Sequence, residues 1–255
     1  MNGEMYELCC ITAAAKEALR NNTDILYTPR EYVFRSEFRF LPEGLFGSKV
    51  YTASNAEEWF AHCIENKLQD IKFLTPASVE NRNVLGFANA SPASLVCFYN
   101  YGKVTYFTPH WSFDPKKKWD VLYTENKWRT RSPEKPNFED NTEEFSEVLE
   151  AIGKFAIEIE FEDFADVFKE AQEFLNGRKD FNNCKAGSPP PQLPEKNKRI
   201  FAAAATADVF GAMGSWNDSP PFAAHEKGLD AEYDRLSDAL LKNIRLAAMY
   251  AVNEW

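Results

Sequence analysis

The chain has 255 residues, of which 44% are hydrophobic and 15% aromatic, a composition typical of globular proteins. This content excludes fibrous and wholly disordered chains, and the length permits a core that needs neither disulfides nor metal. No apolar run approaches the ~20 residues that span a bilayer, so we expect no membrane segment. The cysteines are odd in number and lack the spacing of a disulfide framework, which favours reduced thiols and a cytoplasmic location. They are Cys9, Cys10, Cys63, Cys97 and Cys184.

The net charge of −10 is concentrated in one segment. Residues 139–173 contain 13 acids and two lysines, a local charge of −11, whereas residues 116–131 carry six bases and two acids. An acidic chain of this kind argues against a general affinity for nucleic acid or anionic membranes, because phosphate binding needs a basic footprint.

Hydrophobic periodicity predicts helices and strands in the first half of the chain. Tyr32, Phe34, Phe38 and Phe40 alternate with polar residues, which predicts one face of a strand. Ser54 and Glu57 have the spacing of a capping box. The predicted elements are helices at 4–20 and 55–67 and strands at 31–40, 70–74 and 83–88.

Two hairpins are predicted next. Runs at 95–99 and 104–108 flank a turn at Tyr101-Gly102, and a second ribbon at 119–123 and 127–131 would turn at Glu125-Asn126. In that second register Tyr123 would lie opposite Trp128.

The second half of the chain has a helical period. A helical hairpin is predicted at 142–176, with a strand at 154–161 as the alternative. A proline-rich, exposed loop at 177–199 then precedes helices at 200–210 and from about 230 onward.

The predicted fold class is therefore α+β: a mainly antiparallel sheet in the N-terminal half with helices packed on it, and a helical C-terminal half. We expect the regions 1–137 and 138–255 to form one compact unit.

Common metal, phosphate-loop, redox and nucleophile motifs are absent from the sequence, so no catalytic residue, metal or cofactor is assigned. In the predicted hairpin Cys97 faces Tyr106 and lies roughly 13 Å from His110, which excludes that pair as a catalytic dyad. Cys63 is interpreted as a buried residue beside an exposed His62.

The acidic segment is the leading candidate for binding. Glu143, Glu147, Glu150 and Glu158 fall on one helical stripe, which would steer a basic protein partner, although a charged stripe is also typical of a merely solvated helix face.

The loop around Trp216, Asn217 and Asp218 is a second candidate for partner contact, because a lone tryptophan among turn-forming residues is typical of contact loops. Alternatively, the indole folds back to fill the space between helices.

A nucleic-acid alternative rests on Trp111, Trp119, Trp128, Arg129 and Arg131, since aromatic rings flanked by cations can hold single strands. Core packing explains the tryptophans more simply, because Trp119, Val121 and Trp128 would share the buried face of the ribbon.

The leading hypothesis is a non-catalytic cytoplasmic protein, such as an inhibitor, antitoxin-like protein or adaptor, that binds a basic protein partner through its acidic helical surface. The alternative is an enzyme or small-ligand binder with an aromatic-lined or carboxylate pocket. Single-stranded nucleic-acid binding is the weakest of the three, and no membrane partner is expected.

Overall fold

A computed structural model describes residues 1–42, 50–128, 134–181, 184, 186–211 and 213–255. These residues form seven α-helices and one six-stranded sheet, which confirms the α+β class, with the sheet in the N-terminal half and helices in the C-terminal half. The chain divides into two compact units. The sheet unit comprises Gly3–Thr75 and Ser91–Asn137, and the helical unit comprises Met1–Asn2, Pro76–Ala90 and Phe138–Trp255.

The sheet is mixed. The strands are β1 (Val33–Arg39), β2 (Thr52–Ala53), β3 (Leu68–Leu74), β4 (Ser94–Tyr99), β5 (Val104–Asp114) and β6 (Lys118–Lys127). Their order in the sheet is β2-β1-β6-β5-β4-β3, and among the pairs that the structure describes only β1 and β6 are parallel. A parallel pair needs a long crossover connection, and here β2, β3, β4 and β5 all lie between β1 and β6 in sequence.

Two helices belong to the sheet unit. Helix α1 (Gly3–Asn21) packs against β3, and α2 (Ala56–Glu65) packs against β1, β2 and β3. The cap of α2 lies one residue later than predicted, because Asn55, not Ser54, accepts the backbone hydrogen bond from Glu58, at 2.8 Å. The Glu58 carboxylate in turn accepts a bond from the Ser54 amide.

Stacked aromatic rings form the centre of this unit. Phe38 lies between Trp59 and Tyr123, with ring centroids 4.9 and 4.6 Å away, and Phe107 contacts Phe38 edge-on. All four side chains are fully buried. Aromatic pairs of this kind contribute about 0.5–1.5 kcal/mol each beyond their burial, so they fix α2 firmly on the sheet.

Strand β1 lies where the sequence predicts a strand, but the prediction of which side chains form its buried face is only partly correct. Phe38 and Phe40 are buried as expected, whereas Phe34 is 59% exposed. A register shift between Val33 and Arg35 adds a bulge, which changes the face to which the preceding side chains point.

The predicted turn at Glu125-Asn126 is wrong, because β6 runs through both residues and pairs with β5 along its whole length. The chain turns instead after Asp114, whose side chain accepts a hydrogen bond from the Lys116 amide, a geometry typical of aspartate at the start of a turn. Tyr123 therefore lies opposite Pro109, not Trp128.

The first hairpin exists, but its register differs by one residue. Cys97 lies opposite Thr105 instead of Tyr106, because the loop holds three residues, with Tyr101 and Gly102 at φ of 60° and 72°. The run predicted as a strand at 83–88 is a short 3₁₀ helix, Arg82–Gly86.

Helices dominate the helical unit and confirm the predicted helical hairpin. The strand alternative at 154–161 is wrong: Phe155 and Ile159 are buried while Ile157 is 56% exposed, a helical spacing. The helices are α3 (Thr142–Glu158), α4 (Glu162–Leu175), α5 (Glu195–Ala207), α6 (Pro220–Glu226) and α7 (Asp230–Asn253). No helix in the described ranges combines the length and apolar character that a bilayer span requires.

The proline-rich segment at 177–199 is not uniformly exposed. Pro189, Pro190 and Leu193 are buried, and α5 already begins at Glu195. Prolines have no amide hydrogen to satisfy, so burying them costs no backbone donor, and an extended proline segment can pack on helices.

Trp216 is the central side chain of the helical unit. Its exposed fraction is 0%, its indole Nε1 donates to Ser237 Oγ at 2.8 Å, and its ring stacks on Tyr233. Phe164 and Phe168 of α4 contact it edge-on. The indole therefore fills the space between α4 and α7. The second interpretation of this loop placed the indole between the two helices that flank the loop, so the burial agrees with it, but α4 is not one of those helices.

The first expected outcome concerns this packing. Replacing Trp216 with Ala should lower the free energy of unfolding by about 3–5 kcal/mol, because it leaves a large cavity and an unpaired Ser237 hydroxyl. Urea unfolding followed by circular dichroism measures this. The matched control is Phe222→Ala. Because Phe222 is 75% exposed, its replacement should change the free energy of unfolding by no more than ~0.5 kcal/mol. Equal effects of the two variants would contradict the central role of Trp216.

A buried carboxylate lies within the sheet unit on α1. Glu7 is only 1% exposed, accepts a hydrogen bond from the Tyr27 hydroxyl and is 3.3 Å from the Arg30 backbone nitrogen, which donates to it. Burial raises the pKa of Glu7 above its usual 4.5, and these hydrogen bonds offset the rise only in part. The folded protein therefore binds this proton more tightly than the unfolded chain does.

The second expected outcome follows from that difference. Because the folded-state pKa is raised, the contribution of Glu7 to stability is complete below pH 4.5 and is lost as the pH rises through the folded pKa. The stability of Glu7→Gln relative to the wild type should thus increase from acid to neutral pH. Denaturant unfolding between pH 4.5 and 8 tests this trend. The exposed Glu31→Gln variant is the matched control for the loss of one carboxylate.

Candidate functional site

A cleft of about 400 Å³ opens at one end of the sheet, within the sheet unit. The residues that follow β1, the last residues of β6, the first residues of β5 and the end of α2 surround it. Its walls combine aromatic, acidic and basic groups, contributed by Phe40, Leu41, Pro42, His62, Asn66, Tyr99, Gly102, Lys103, Val104, Thr105, Glu125, Lys127 and Trp128.

Glu125 is the acidic group of the cleft. It is 6% exposed, and its Oε2 accepts a hydrogen bond from the Leu41 amide at 2.8 Å. Among the described residues no cation lies within ion-pair distance of it. A buried carboxylate normally has a paired cation, because removing the charge from water is costly. Glu125 thus has unused hydrogen-bonding capacity inside the cleft.

Thr105 lies beside Glu125 on the same face of the sheet. Its side chain is 2% exposed, and Oγ1 has no hydrogen-bond partner within the described parts of the chain. The buried Nε1 of Trp128 is likewise unpaired there. Most buried polar atoms in proteins are hydrogen-bonded, so these two residues of the cleft wall have hydrogen-bonding capacity that no described residue uses. Neither atom is exposed to solvent, whereas Glu125 is partly accessible from the cleft.

Aromatic rings form the remaining wall. His62 lies edge-on to Phe40 and stacks on Tyr51, in both cases with ring centroids 4.4 Å apart. Tyr99 donates its hydroxyl hydrogen to Cys63 Sγ at 3.6 Å. Burial raises the pKa of the Tyr99 hydroxyl, so this ring is a neutral wall of the cleft at physiological pH.

Two lysines lie at the rim. Lys103 and Lys127 are both exposed, and Lys103 Nζ lies 4.9 Å from the centroid of the Tyr99 ring. The cleft therefore offers a buried acceptor group at depth and positive charge at its mouth. Such an arrangement can orient a polar ligand. No cluster of three or more His, Cys, Asp or Glu that could hold a metal occurs in the described ranges.

The acidic stripe predicted from the sequence lies on α3. Glu143, Glu147, Glu150 and Glu158 are all exposed, and Glu150 pairs with Lys154 at 2.6 Å, which lowers the pKa of Glu150. The other three glutamates have no ion pair with any described residue.

Several neighbouring acids are neutralised within the protein. Each pairs with a lysine at 2.6–3.1 Å: Asp140 with Lys196, Glu144 with Lys242, Glu160 with Lys227 and Glu170 with Lys179. The net charge that remains for an external partner is therefore smaller than the number of acidic residues suggests. Exposed ion pairs of this kind contribute little to the stability of the fold.

The loop at 216–218 is held by internal contacts. Trp216 is buried, so it is not an exposed contact residue. Asn217 Nδ2 donates to the Arg82 carbonyl at 3.0 Å, and Asp218 accepts from the Gly214 amide at 2.9 Å. The polar side chains thus close this loop around its tryptophan.

The tryptophans of the nucleic-acid alternative do not form an exposed row. Trp111 is buried and contacts Trp119 edge-on, while Trp128 contacts Tyr106 and lines the cleft. Arg129 and Arg131 lie outside the described residues.

Sequence analysis missed Glu125 and Thr105. The sequence did hold a signal: Trp119, Val121, Tyr123 and Glu125 alternate along one face of β6, which carries the glutamate inward. Placing a turn at Glu125-Asn126 concealed this alternation. The missing hydrogen bond of Thr105 has no sequence signature at all.

Comparisons of the chain with protein-family models, with curated proteins and with solved structures found no match. The chemistry of the site therefore rests on its own geometry.

The third expected outcome compares how much the charge of Glu125 and its hydrogen bond to the Leu41 amide each contribute to the free energy of unfolding. Glu125→Gln retains an oxygen that can accept the Leu41 amide, so the free energy of unfolding should change by less than ~1 kcal/mol. Glu125→Leu leaves that amide unpaired and should cost about 1–3 kcal/mol. Thermal and urea unfolding compare the two variants. A larger loss in the glutamine variant would show that the charge itself stabilises the fold.

Proposed function

We propose that this protein binds a small molecule in the cleft of the sheet unit. The observation that carries the proposal is the buried Glu125 carboxylate, which lines the cleft without an ion-pair partner among the described residues. Proteins retain such a group at a cost in desolvation, and a ligand that donates hydrogen bonds to it offsets that cost.

The size and lining of the cleft support this proposal. Its volume of about 400 Å³ falls in the ordinary range for small-ligand pockets, roughly 300–1,000 Å³. Aromatic walls with a few convergent polar groups are typical of such pockets. Phe40, Tyr99 and Trp128 supply the apolar surface, while Glu125 and Thr105 supply the polar groups.

A thermal-shift screen of small polar metabolites tests the proposal. A ligand that binds only the folded protein raises its melting temperature, and a concentration of 100 times Kd adds about 2.7 kcal/mol. The fourth expected outcome is that at least one compound raises the melting temperature of the wild type and that Glu125→Gln abolishes this shift.

The matched control is Glu57→Gln, an exposed glutamate on α2 of the same unit, which should keep the full shift. A shift that survives in Glu125→Gln would place the ligand elsewhere on the molecule. The absence of any shift across the screen would count against the proposal.

Binding of a basic protein partner through α3 is a second candidate function. The specific observation is that Glu143, Glu147 and Glu158 are exposed and have no ion pair with described residues, so their charge is available. Long-range attraction of this kind raises association rates and weakens as salt shortens the screening length.

The fifth expected outcome is that reversing Glu143, Glu147 and Glu158 to Lys slows association with a basic partner recovered at low salt, while the fold is kept. The buried side of α3, formed by Phe145, Leu149 and Ile152, is unchanged in this variant. Stopped-flow association at two ionic strengths measures the effect. The control reverses Lys116, Lys117 and Lys118 to Glu, which should not slow association with a basic partner. An unchanged rate in the glutamate variant would mean that the stripe is only a solvated face.

A further inference from the structure

The deep end of the cleft presents the Glu125 carboxylate, which lies next to the Thr105 hydroxyl, whose oxygen is not exposed to solvent. Thr105 lies opposite Lys127 and Phe107 lies opposite Glu125, so the two acceptor residues occupy neighbouring diagonal positions on one face of the sheet. The Glu125 carboxylate has lone pairs beyond the one that the Leu41 amide uses, and Thr105 Oγ1 has no partner among the described residues. A ligand group that fits here supplies several N–H donors and a positive charge.

A primary ammonium group meets both requirements. It carries three donors and a positive charge, and no described residue supplies such a charge to Glu125. A neutral hydroxyl ligand would donate a hydrogen bond but would leave the carboxylate charge uncompensated. A phosphate or other anion would meet repulsion from Glu125 at this depth.

The rim of the cleft, unlike its deep end, favours a negatively charged ligand group. Lys103 and Lys127 are exposed and have no ion pair with described residues, and Lys127 lies directly across from Thr105. The positive rim is thus one strand-pair position from the acceptors. A simple cation would be repelled at this rim, whereas a carboxylate would be attracted to it.

We propose that the ligand of the cleft is a small zwitterion with a primary ammonium group and a carboxylate, the chemistry of a free amino acid. The ammonium group binds the Glu125 carboxylate, and the ligand's carboxylate faces Lys103 and Lys127. The remaining part of the ligand packs against Phe40 and Trp128. This inference rests on the proposed function, because it specifies the ligand of the same cleft.

Titration calorimetry with the full-length protein tests the inference. The probes are the standard L-amino acids, and for the aromatic side chain L-phenylalanine is compared with 2-phenylethylamine, which lacks the carboxylate, and with 3-phenylpropionate, which lacks the ammonium group. At least one amino acid should bind, and its decarboxylated and deaminated analogues should each bind ~10-fold or more weakly than it does.

Two variants test which residues bind the ammonium group and which bind the carboxylate of the ligand. Glu125→Gln should weaken the amino acid and its amine analogue ~10-fold or more but should leave or improve binding of the carboxylic acid analogue. Lys103→Met combined with Lys127→Met should do the reverse. The control Lys116→Met lies at the far hairpin turn of the sheet and should bind all three probes as the wild type does.

The outcomes separate this inference from the proposed function. If a sugar, a nucleotide or a singly charged compound from the thermal-shift screen binds in a Glu125-dependent manner and amino acids do not, the inference is overturned while small-ligand binding stands. Amino-acid binding that is equal in the wild type and Glu125→Gln also overturns it. If no compound binds at all, both proposals fail.

Discussion

The parallel pairing of β1 with β6 is the constraint on which the sheet unit depends. Its register places Phe38 opposite Tyr123, and the Trp59 ring of α2 completes the stack from above. The same register carries the chain beyond β1 to the point where the Leu41 amide reaches Glu125. A slip of one residue would turn the aromatic rings to the opposite face and would separate this amide from its acceptor. Core packing and the geometry of the cleft therefore have one common cause.

Two buried glutamates in this unit differ in their surroundings. Glu7 accepts hydrogen bonds from the Tyr27 hydroxyl and the Arg30 amide, so much of the capacity of its carboxylate is used within the protein. Glu125 has the Leu41 amide as its partner and lies against an open volume. A satisfied buried carboxylate shapes the core, whereas one with unused acceptors beside a cleft is suited to a ligand. This contrast is why the proposed site centres on Glu125.

The helical unit is organised around a single indole. Trp216 bridges α4 and α7 through ring contacts, and its Nε1 hydrogen bond to Ser237 removes the cost of burying a polar atom. The outer surface of the same unit carries the acidic stripe, and the neighbouring acids Glu160 and Glu144 are paired with Lys227 and Lys242. Exposure of the glutamates follows from the helical period of α3, which separates an apolar face from a charged one. Trp216, by contrast, lies in the loop before α6, and its contacts with α4 and α7 bury it.

The sequence by itself determined the local features. The period of 3.6 located α1, α3, α4 and α7, and alternation located β1, because these patterns reflect the burial of one face of a single element. What only the tertiary structure decided was which strands pair, which acid lies inside and which atoms are left without partners. Three features depend on neighbours distant in sequence: the bulge that exposes Phe34, the continuity of β6 through Glu125, and the lack of a described partner for the Thr105 hydroxyl. Propensity and period carry no information about such neighbours, so the acidic stripe was visible in the sequence and the cleft was not.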